Sequence, residues 1–177
     1  MKTNRTRLLA ENTHLSTQRL FLRPKTMDDA KDMFEFTSNA EVARFVFPPD
    51  KTIEELKDYM AQSMSAPLGK FVIELKDDHK VIGTIDFLKL KENSAEIGYV
   101  IHQDYWGKGY ATEALRALID FSFEKLKLKT VTCEHDHENP ASGRVMQKAG
   151  MNKIETLRKM DKQTKTVRSF VQYEIRR

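Results

Sequence analysis

The middle of the chain carries an apolar, β-branched run that leads through two closely spaced glycines into a helix. The run spans residues 95–101, the glycines are Gly107 and Gly109, and small or apolar residues recur at helical spacing from Ala111 to Leu126. Glycine lets the backbone approach an anion closely, and the unpaired N–H groups of a first helical turn attract negative charge. The pattern predicts either a phosphate-binding loop or an ordinary strand-to-helix turn.

Two widespread phosphate-binding motifs do not match this segment. A Walker loop requires a glycine, four residues and then Gly-Lys-Ser/Thr, and this spacing does not occur in the sequence. A dinucleotide-binding fingerprint requires three glycines after a strand that opens a βαβ unit, whereas only Gly107 and Gly109 are available here.

The segment resembles the acetyl-CoA pyrophosphate loop of the Gcn5-related N-acetyltransferases (GNAT). The family pattern Arg/Gln-x-x-Gly-x-Gly/Ala places Trp106 first, Gly109 at the glycine and Ala111 last. Trp106 departs from the usual Arg or Gln, and with the Gly-Lys-Gly-Tyr-Ala-Thr-Glu-Ala that follows it is similar to the RimJ/RimL branch, whose known members acetylate the N-termini of ribosomal proteins. The resemblance implies that acetyl-CoA is bound by Gly107, Lys108, Gly109, Tyr110, Ala111 and Thr112.

A second match lies downstream and extends the resemblance from about Leu15 to the C-terminus. Asn139-Pro140-Ala141-Ser142 precedes a helical run over 143–149, which is typical of the RimJ/RimL branch, although Met151 replaces the final aromatic residue. The resemblance implies a further acetyl-CoA contact by Asn139.

The resemblance also implies roles for Ser142 and Ile101. Many relatives place a tyrosine in the last helix to assist the leaving thiol, but Met146 stands at that position, and Ser142 is the implied substitute. A free thiol has a pKa near 8.5, so a modest hydrogen bond to the thiolate suffices. Ile101 corresponds to the strand residue whose backbone N–H binds the thioester carbonyl, an interaction worth about 3 kcal/mol. The alternatives are a helix-capping serine and an ordinary last strand residue.

Glu96 is the leading candidate for the catalytic base. It lies in mid-strand on the face that it shares with Gly98 and Val100. If the connection 89–94 is tight, Asp86 on the neighbouring strand lies near Glu96, and two close carboxylates raise one pKa toward the working range. A solvated strand carboxylate is the alternative.

Water and the histidines offer further bases. His102, His135 and His137 are the histidine candidates. Residues 135–138 lack the i, i+4 spacing of a helical zinc site, so no metal is predicted.

Five aromatic residues near the first two predicted helices fit either a pocket for the acceptor amine or part of the hydrophobic core. In relatives the acceptor pocket is built between these helices. The residues concerned are Phe34, Phe36, Phe45, Phe47 and Tyr59.

Periodicity, capping signals and turns predict one α/β domain. Predicted strands cover 15–23, 71–75, 81–88, 95–101, 130–135, 153–160 and 167–175, predicted helices start at 26–29, 52, 111 and 140, and 39–50 is predicted to be irregular. This order matches the GNAT fold, a mixed, mostly antiparallel central sheet flanked by helices. We predict an N-terminal extension over 1–14 and a single GNAT domain over 15–177.

Composition fits a cytoplasmic globular protein. Hydrophobic residues make up 40% and charged residues 32%, and no apolar run approaches the roughly 20 residues of a membrane span. Cys133 is the only cysteine, so an internal disulfide is excluded, and its apolar strand favours burial. The net charge of +4 is spread among 26 acidic residues. Nucleic acid is therefore not an expected partner except indirectly through ribosomes, and we predict a monomer or homodimer.

The predicted function is direct acetyl transfer from acetyl-CoA to a primary amine. An α-amine has a pKa near 7.8 and a lysine amine one near 10.4, so a larger fraction of an α-amine is neutral at pH 7. A weak catalytic base therefore favours a protein N-terminus as the acceptor. Polyamines and aminoglycosides are alternative acceptors. A non-catalytic acyl-CoA-binding module and a basic nucleic-acid-associated protein are the alternatives from other classes.

Overall fold

The computed structural model describes residues 4–65, 68–161 and 165–177. Within these ranges the strands are β1 (Leu15–Ser16), β2 (Leu20–Arg23), β3 (Lys70–Leu75), β4 (Val81–Leu90), β5 (Ser94–Ile101), β6 (Thr130–Asp136), β7 (Asn152–Met160) and β8 (Val167–Arg176). The α-helices are α1 (Arg5–Glu11), α2 (Ala30–Thr37), α3 (Ala40–Ala43), α4 (Ile53–Met64), α5 (Tyr110–Glu124) and α6 (Pro140–Lys148).

All the strands join one mixed sheet in the order β1-β2-β3-β4-β5-β6-β8-β7. Neighbouring strands are antiparallel except β5 and β6, which run parallel because α5 crosses over between them. The predicted α/β class, with a mixed and mostly antiparallel sheet flanked by helices, is confirmed.

The sheet is covered on both faces. One face packs against α5 and α6 through side chains such as Leu115 and Leu118, which are fully buried. The other face packs against α2 and α4, where Phe36, Leu56 and Met60 fill a second, smaller core. Strand β5 contributes to both cores, through Ile97 on the side of α5 and α6 and through Val100 on the side of α2 and α4.

Capping residues fix where the helices start. Thr52 Oγ1 accepts a hydrogen bond from the Glu55 N–H at 3.2 Å at the start of α4. Asn139 Oδ1 accepts one from the Ser142 N–H at 3.4 Å at the start of α6, where Pro140 occupies the first helical position. The helix starts predicted from these residues are confirmed.

Two predicted segments differ from the structure. The single strand expected over 15–23 is divided into β1 and β2, because Thr17 Oγ1 accepts a hydrogen bond from the Leu20 N–H at 3.0 Å and holds a turn between them. The stretch 39–50, predicted to be irregular, contains α3, whose first turn is capped by the Asn39 side chain. A helix of one turn is too short to show a hydrophobic period.

Residues 4–14 of the predicted N-terminal extension contact the rest of the fold. Leu9 of α1 is buried in the larger core, and Arg5 Nε donates to the Leu126 carbonyl at 3.1 Å. Residues 1–3 lie outside the described residues. The division of the chain at residue 14 stays a prediction.

A buried ion cluster joins β2 and β3 to the turn before α2. The Arg23 guanidinium donates to both carboxylate oxygens of Asp29, at 2.8 and 2.9 Å, and to Glu74, which also contacts His79 Nδ1 at 2.7 Å. Asp29 and Glu74 are each 6% exposed. Hydrogen bonding to Asp29 raises the pKa of Arg23 above its ordinary value. Arg23 therefore supplies one shared cation to two carboxylates that folding removes from water.

Arg23→Ala is expected to lower the unfolding free energy by about 3–5 kcal/mol, because it leaves two buried carboxylates without their cation. Urea denaturation at neutral pH measures the change. The control is Arg7→Ala, which removes an exposed ion pair with Glu11 on α1 and should leave stability nearly unchanged. Equal effects of the two substitutions would contradict the stabilising role of the cluster.

Candidate active site

Strands β5 and β6 pair over only part of their length. The parallel register runs from Ser94 opposite Thr130 to Glu96 opposite Thr132, where it ends in the part of the chain that the structure describes. Ile97–Ile101 stays paired with β4 on its other side. The result is a wedge-shaped opening between β5 and β6, here called the strand gap, with Glu96 at its closed end.

A cysteine fills the closed end of the strand gap on the side of α5 and α6. Cys133 is fully buried in the larger core and follows Thr132, the last residue of β6 that pairs with β5. Burial raises the pKa of the Cys133 thiol above its ordinary value. The thiol therefore stays protonated and packs as a small apolar side chain.

Ile101 presents its backbone to the strand gap. The His102 N–H donates to the Ile82 carbonyl of β4 at 2.8 Å. Successive residues of a strand direct their backbone groups to opposite sides, so the N–H and C=O of Ile101 point away from β4. The carbonyl accepts the indole N–H of Trp106 at 2.7 Å, and the Ile101 N–H is directed into the gap. Its role as a donor to a thioester remains a prediction.

The loop after β5 turns through two glycines of left-handed backbone conformation. Gly107 has φ +74° and Gly109 has φ +84°, values that residues with a side chain rarely adopt. Gly109 stands at the N-cap of α5, where it offers no side chain to the first turn. The N–H groups of Tyr110, Ala111 and Thr112 have no intrahelical partner, and the positive end of the helix dipole lies behind them. This end of α5 can hold an anion.

Arg19, in the turn between β1 and β2, contacts the loop that contains Gly107 and Gly109, here called the glycine loop. Its Nε donates to Glu113 at 2.7 Å, its Nη1 donates to the Lys108 carbonyl at 3.1 Å, and its guanidinium carbon lies 4.3 Å from the centroid of the Tyr110 ring. Burial raises the pKa of Glu113, but hydrogen bonds from Thr17 and Arg19 lower it overall. Sequence reasoning missed Arg19, because the fold brings it to Glu113 from 94 positions away.

A surface depression follows the exposed side of α5 beyond the loop. It has a volume of about 830 Å³ and extends from Gly109 past Thr112 and Arg116 to Lys148. Arg116 donates to the Lys148 carbonyl and so joins α5 to α6. Of the predicted cofactor contacts, Gly109 and Thr112 line one end of this depression.

Helix α6 carries Ser142 and Asn139 to the strand gap. The Tyr99 hydroxyl of β5 lies 2.9 Å from Ser142 Oγ and 3.0 Å from the Ser142 carbonyl oxygen. Asn139 caps the same helix and lies one turn from Ser142. Sequence reasoning missed Tyr99, because the strand pattern assigns it only to an apolar face.

Gly143 lets α6 lie close to the sheet. A Cβ atom at this position would be 2.6 Å from His135 Nε2 and 3.2 Å from the Tyr173 hydroxyl. His135 Nδ1 contacts the Asp136 carbonyl at 2.7 Å, and burial lowers the pKa of His135. The predicted alternative base His135 thus lies beneath α6, where burial disfavours its charged form.

Glu96 lies on the sheet face opposite α6. Its carboxylate accepts a hydrogen bond from Lys89 at 2.6 Å, and the two residues are register partners in β4 and β5. Both line a cavity of about 370 Å³ together with Thr132 and Gln172. Glu96 is therefore partnered and still reachable, since 18% of its side chain is exposed.

Asp86 shares this sheet face with Glu96 but has different partners. Its register partner is Gly98, one diagonal step, or roughly 7–8 Å, from Glu96. The Asp86 carboxylate accepts a hydrogen bond from the Phe71 N–H at 3.0 Å. Burial raises the pKa of Asp86, and Lys25 opposes the shift. The expectation that a carboxylate pair raises this pKa is wrong, because burial is its cause.

The His102 side chain caps the short turn that follows β5. It is 3% exposed, its Nδ1 accepts the Asp104 N–H at 3.1 Å, and its Nε2 lies 3.3 Å from Glu35. Both ring nitrogens are thus engaged. Over residues 4–65, 68–161 and 165–177, no group of three or more His, Cys, Asp or Glu side chains is placed to hold a metal ion.

The aromatic residues between the first two helices divide between core and surface. Phe36 is buried in the smaller core, and Phe34 and Phe47 pack against it. Tyr59 of α4 is 59% exposed, and Phe45 lies between two arginine guanidiniums, at 4.9 and 5.6 Å from its ring centroid. Tyr59 is the exposed member of this set, whereas Phe34, Phe45 and Phe47 are partly buried.

Comparison with known proteins identifies close likenesses over most of the chain. The sequence profile described as "Acetyltransferase (GNAT) domain" matches residues 19–152. The Bacillus subtilis (strain 168) protein YnaD, named an uncharacterized N-acetyltransferase, is 33% identical over 141 residues, which cover 79% of this chain and 83% of YnaD.

Solved structures show the same fold. A GNAT-family acetyltransferase from Bacillus anthracis aligns with a TM-score of 0.84 at 27% identity, over 92% of this chain and 98% of that one. Spermidine N-acetyltransferase from Vibrio cholerae, in complex with CoA and spermine, aligns with a TM-score of 0.76 at 20% identity, over 90% and 96% of the two chains. Ribosomal-protein-S5-alanine acetyltransferase from Vibrio fischeri aligns with a TM-score of 0.75 at 19% identity, over 93% and 97%.

In the described ranges, none of the helices has both the length and the apolar character needed to cross a membrane. The profile match covers more than half of the chain, and the relatives are N-acetyltransferases. The chain therefore belongs to the GNAT family of N-acetyltransferases.

Proposed function

We propose that this enzyme transfers the acetyl group of acetyl-CoA directly to a primary amine, within the RimJ/RimL branch of the family. The strand gap is the observation that carries the proposal. An anion-binding helix end stands at its open side, and a reachable carboxylate, Glu96, stands at its closed end. A ligand with phosphates at one end and a reactive acyl group at the other matches this arrangement.

In this proposal the glycine loop holds the pyrophosphate of acetyl-CoA. The N–H groups at the start of α5 donate to phosphate oxygens, with Gly107, Lys108 and Gly109 leading into them and Asn139 contacting the cofactor from α6. Arg19 supports the loop through the Lys108 carbonyl. The pantetheine arm, which carries amides, pairs with the backbone groups that β5 directs into the strand gap.

Three groups of the protein then act on the thioester oxygen, the sulfur and the amine nitrogen. The Ile101 N–H donates to the thioester oxygen and stabilises the charge that develops there. A C–N bond forms as the C–S bond breaks, and the C–S electron pair stays on sulfur, where Ser142 donates a hydrogen bond to the thiolate. Glu96 accepts the proton that the amine nitrogen loses, directly or through a water molecule.

A protein N-terminal α-amine is the acceptor that we favour. Lys89 already donates to Glu96, so the carboxylate has to be shared between its ion pair and the amine. An α-amine, with a pKa near 7.8, places a smaller demand on such a base than a lysine amine with a pKa near 10.4. The likeness to the ribosomal-protein-S5-alanine acetyltransferase is consistent with this choice.

A polyamine is the second candidate acceptor, and one observation favours it. Asp86 and Glu96 lie on the same sheet face about one diagonal step apart, so one carboxylate can hold a second ammonium while the other faces the reacting amine. The likeness to the spermidine acetyltransferase is consistent with this alternative. Lys25 beside Asp86 opposes it.

A thiol-release assay across acceptors tests the proposed function. The panel contains peptides with free N-termini, the same peptides blocked at the N-terminus, polyamines and aminoglycosides, each with acetyl-CoA. We expect turnover with free N-terminal peptides and none with the blocked set. Turnover with polyamines alone would select the second acceptor. Binding of acetyl-CoA without turnover of any amine would select a non-catalytic module.

Gly109→Asp is expected to abolish the thermal stabilisation that acetyl-CoA confers. At about 100 times its Kd, the ligand should stabilise the native protein by roughly 2.7 kcal/mol, seen as a rise in Tm. Aspartate adds bulk and negative charge beside the pyrophosphate. The control is Gly150→Asp, since Gly150 also has a left-handed backbone, with φ +91° against +84°, but lies after α6. A full response by the Gly109 variant would refute the assignment of the loop.

Glu96→Gln is expected to slow the reaction most at low pH. The substitution keeps the size and removes basicity, so kcat/KM should fall most where the amine is protonated and recover partly as pH rises toward the amine pKa. Profiles of kcat/KM from about pH 6 to 9.5 measure this. Asp86→Asn removes the other carboxylate of the same face and should leave the shape of the profile unchanged. Parallel profiles for Glu96→Gln and wild type would remove Glu96 from the mechanism.

A further inference from the structure

The Tyr99 hydroxyl bridges the strand gap. Tyr99 belongs to β5, beyond the last residue that pairs with β6, and Ser142 belongs to α6, which follows β6. The phenol oxygen lies within hydrogen-bonding distance of both Ser142 Oγ, at 2.9 Å, and the Ser142 carbonyl, at 3.0 Å. The two sides of the gap are thus joined at the residue assigned to the leaving group.

We propose that Tyr99 is a positioning residue that directs the Ser142 hydroxyl hydrogen toward the departing sulfur. The inference rests on the proposed acetyl transfer and on the role of Ser142 within it. Tyr99 does not touch the reacting atoms, and acts through Ser142.

The hydrogen-bond inventory of the pair supports this direction. A phenol carries one hydrogen, whereas a serine hydroxyl can both donate and accept. The Ser142 carbonyl lies in the first turn of α6 and receives the helical N–H of Met146. When Tyr99 donates to Ser142 Oγ, both Ser142 oxygens are satisfied as acceptors. The hydroxyl hydrogen of Ser142 is then free to point away from Tyr99.

Tyr99 keeps the hydrogen that it needs in order to donate to Ser142. Its ring packs against the larger core, and burial raises the pKa of the phenol above its ordinary value, so the group stays protonated throughout the physiological range. Without this donor, the Ser142 hydroxyl has one fewer fixed partner and its hydrogen can turn toward a carbonyl of the preceding turn. A hydrogen bond from Tyr99 to Ser142 Oγ disfavours that rotation.

The step needs no proton from Tyr99 or Ser142. The C–S electron pair passes to sulfur as the C–N bond forms, and Ser142 donates a hydrogen bond to the thiolate while it keeps its hydrogen. The proton lost by the amine goes to Glu96 or solvent, and the thiolate takes its proton from solvent. The contribution of Tyr99 is therefore the orientation of one hydrogen bond.

A double-mutant cycle on the full-length protein tests the proposal. Tyr99→Phe should lower kcat by about two- to tenfold, the rate equivalent of one hydrogen bond, with the KM values for acetyl-CoA and acceptor changed by less than about twofold. Ser142→Ala should lower kcat by about ten- to a hundredfold. In the Ser142→Ala background, Tyr99→Phe should cause no further loss, because the residue through which it acts is gone.

Tyr173→Phe is the matched control. Tyr173 is a buried phenol in the same layer beneath α6, but its hydroxyl faces Gly143 instead of Ser142. We expect both Tyr→Phe variants to lower Tm by similar small amounts and only Tyr99→Phe to lower kcat. An unchanged kcat in Tyr99→Phe, or a loss that multiplies the loss in Ser142→Ala, would overturn the proposal.

The outcomes separate this inference from the proposed function. If the wild-type protein acetylates no amine of the panel, the proposed function fails and the role of Tyr99 falls with it. If the wild-type protein is active and Ser142→Ala is as active, Ser142 has no role and Tyr99 cannot act through it. If the wild type is active, Ser142→Ala is impaired and Tyr99→Phe is not, only the role of Tyr99 is refuted.

Discussion

The separation of β5 from β6 after Glu96 is the constraint on which the site depends. Buried backbone N–H and C=O groups need hydrogen-bond partners, and a strand that leaves its neighbour has to find others. The protein supplies the Trp106 indole for the Ile101 carbonyl. The remaining edge groups face an opening. A ligand that carries its own amides can pair with them as a strand would.

Several contacts hold the strand gap in a fixed shape before any ligand arrives. The parallel pairing and Cys133 define its closed end, and the Tyr99–Ser142 contact joins its two sides. The ion pair between Arg19 and Glu113 fixes the start of α5 beside its open end. Donors held in place in this way cost little reorganisation when charge develops during a reaction. In the proposed site the binding groups are backbone amides, and the side chains mainly set their positions.

The sequence predicts the parts of the site that depend on local order along the chain. The two glycines, the start of α5, and the Asn139 cap before Ser142 all follow from residues within a few positions of one another. The capping residues of α4 and α6 were predictable for the same reason. The fold class followed from the order of strands and helices together with the resemblance.

The contacts that sequence reasoning missed depend on register and on long-range packing. Lys89 meets Glu96 because a bulge in β4 shifts the register between Phe87 and Lys89, and no local signal marks such a shift. Arg19 reaches Glu113 only because the turn between β1 and β2 lies beside α5. Tyr99 has the spacing of a core residue, and its hydroxyl gains a role only when α6 crosses above it.

Gly143 gives the site a limit on the side chains that evolution can place there. Because the ring of His135 and the hydroxyl of Tyr173 occupy the space beneath it, even one methyl group would require either the His135 ring or α6 to shift. A shift of α6 would carry Ser142, the preceding residue, with it. The spacing between α6 and the sheet therefore depends on the lack of a side chain at Gly143. Natural variants that differ at this position should be compared for activity as closely as those that differ at the proposed reactive residues.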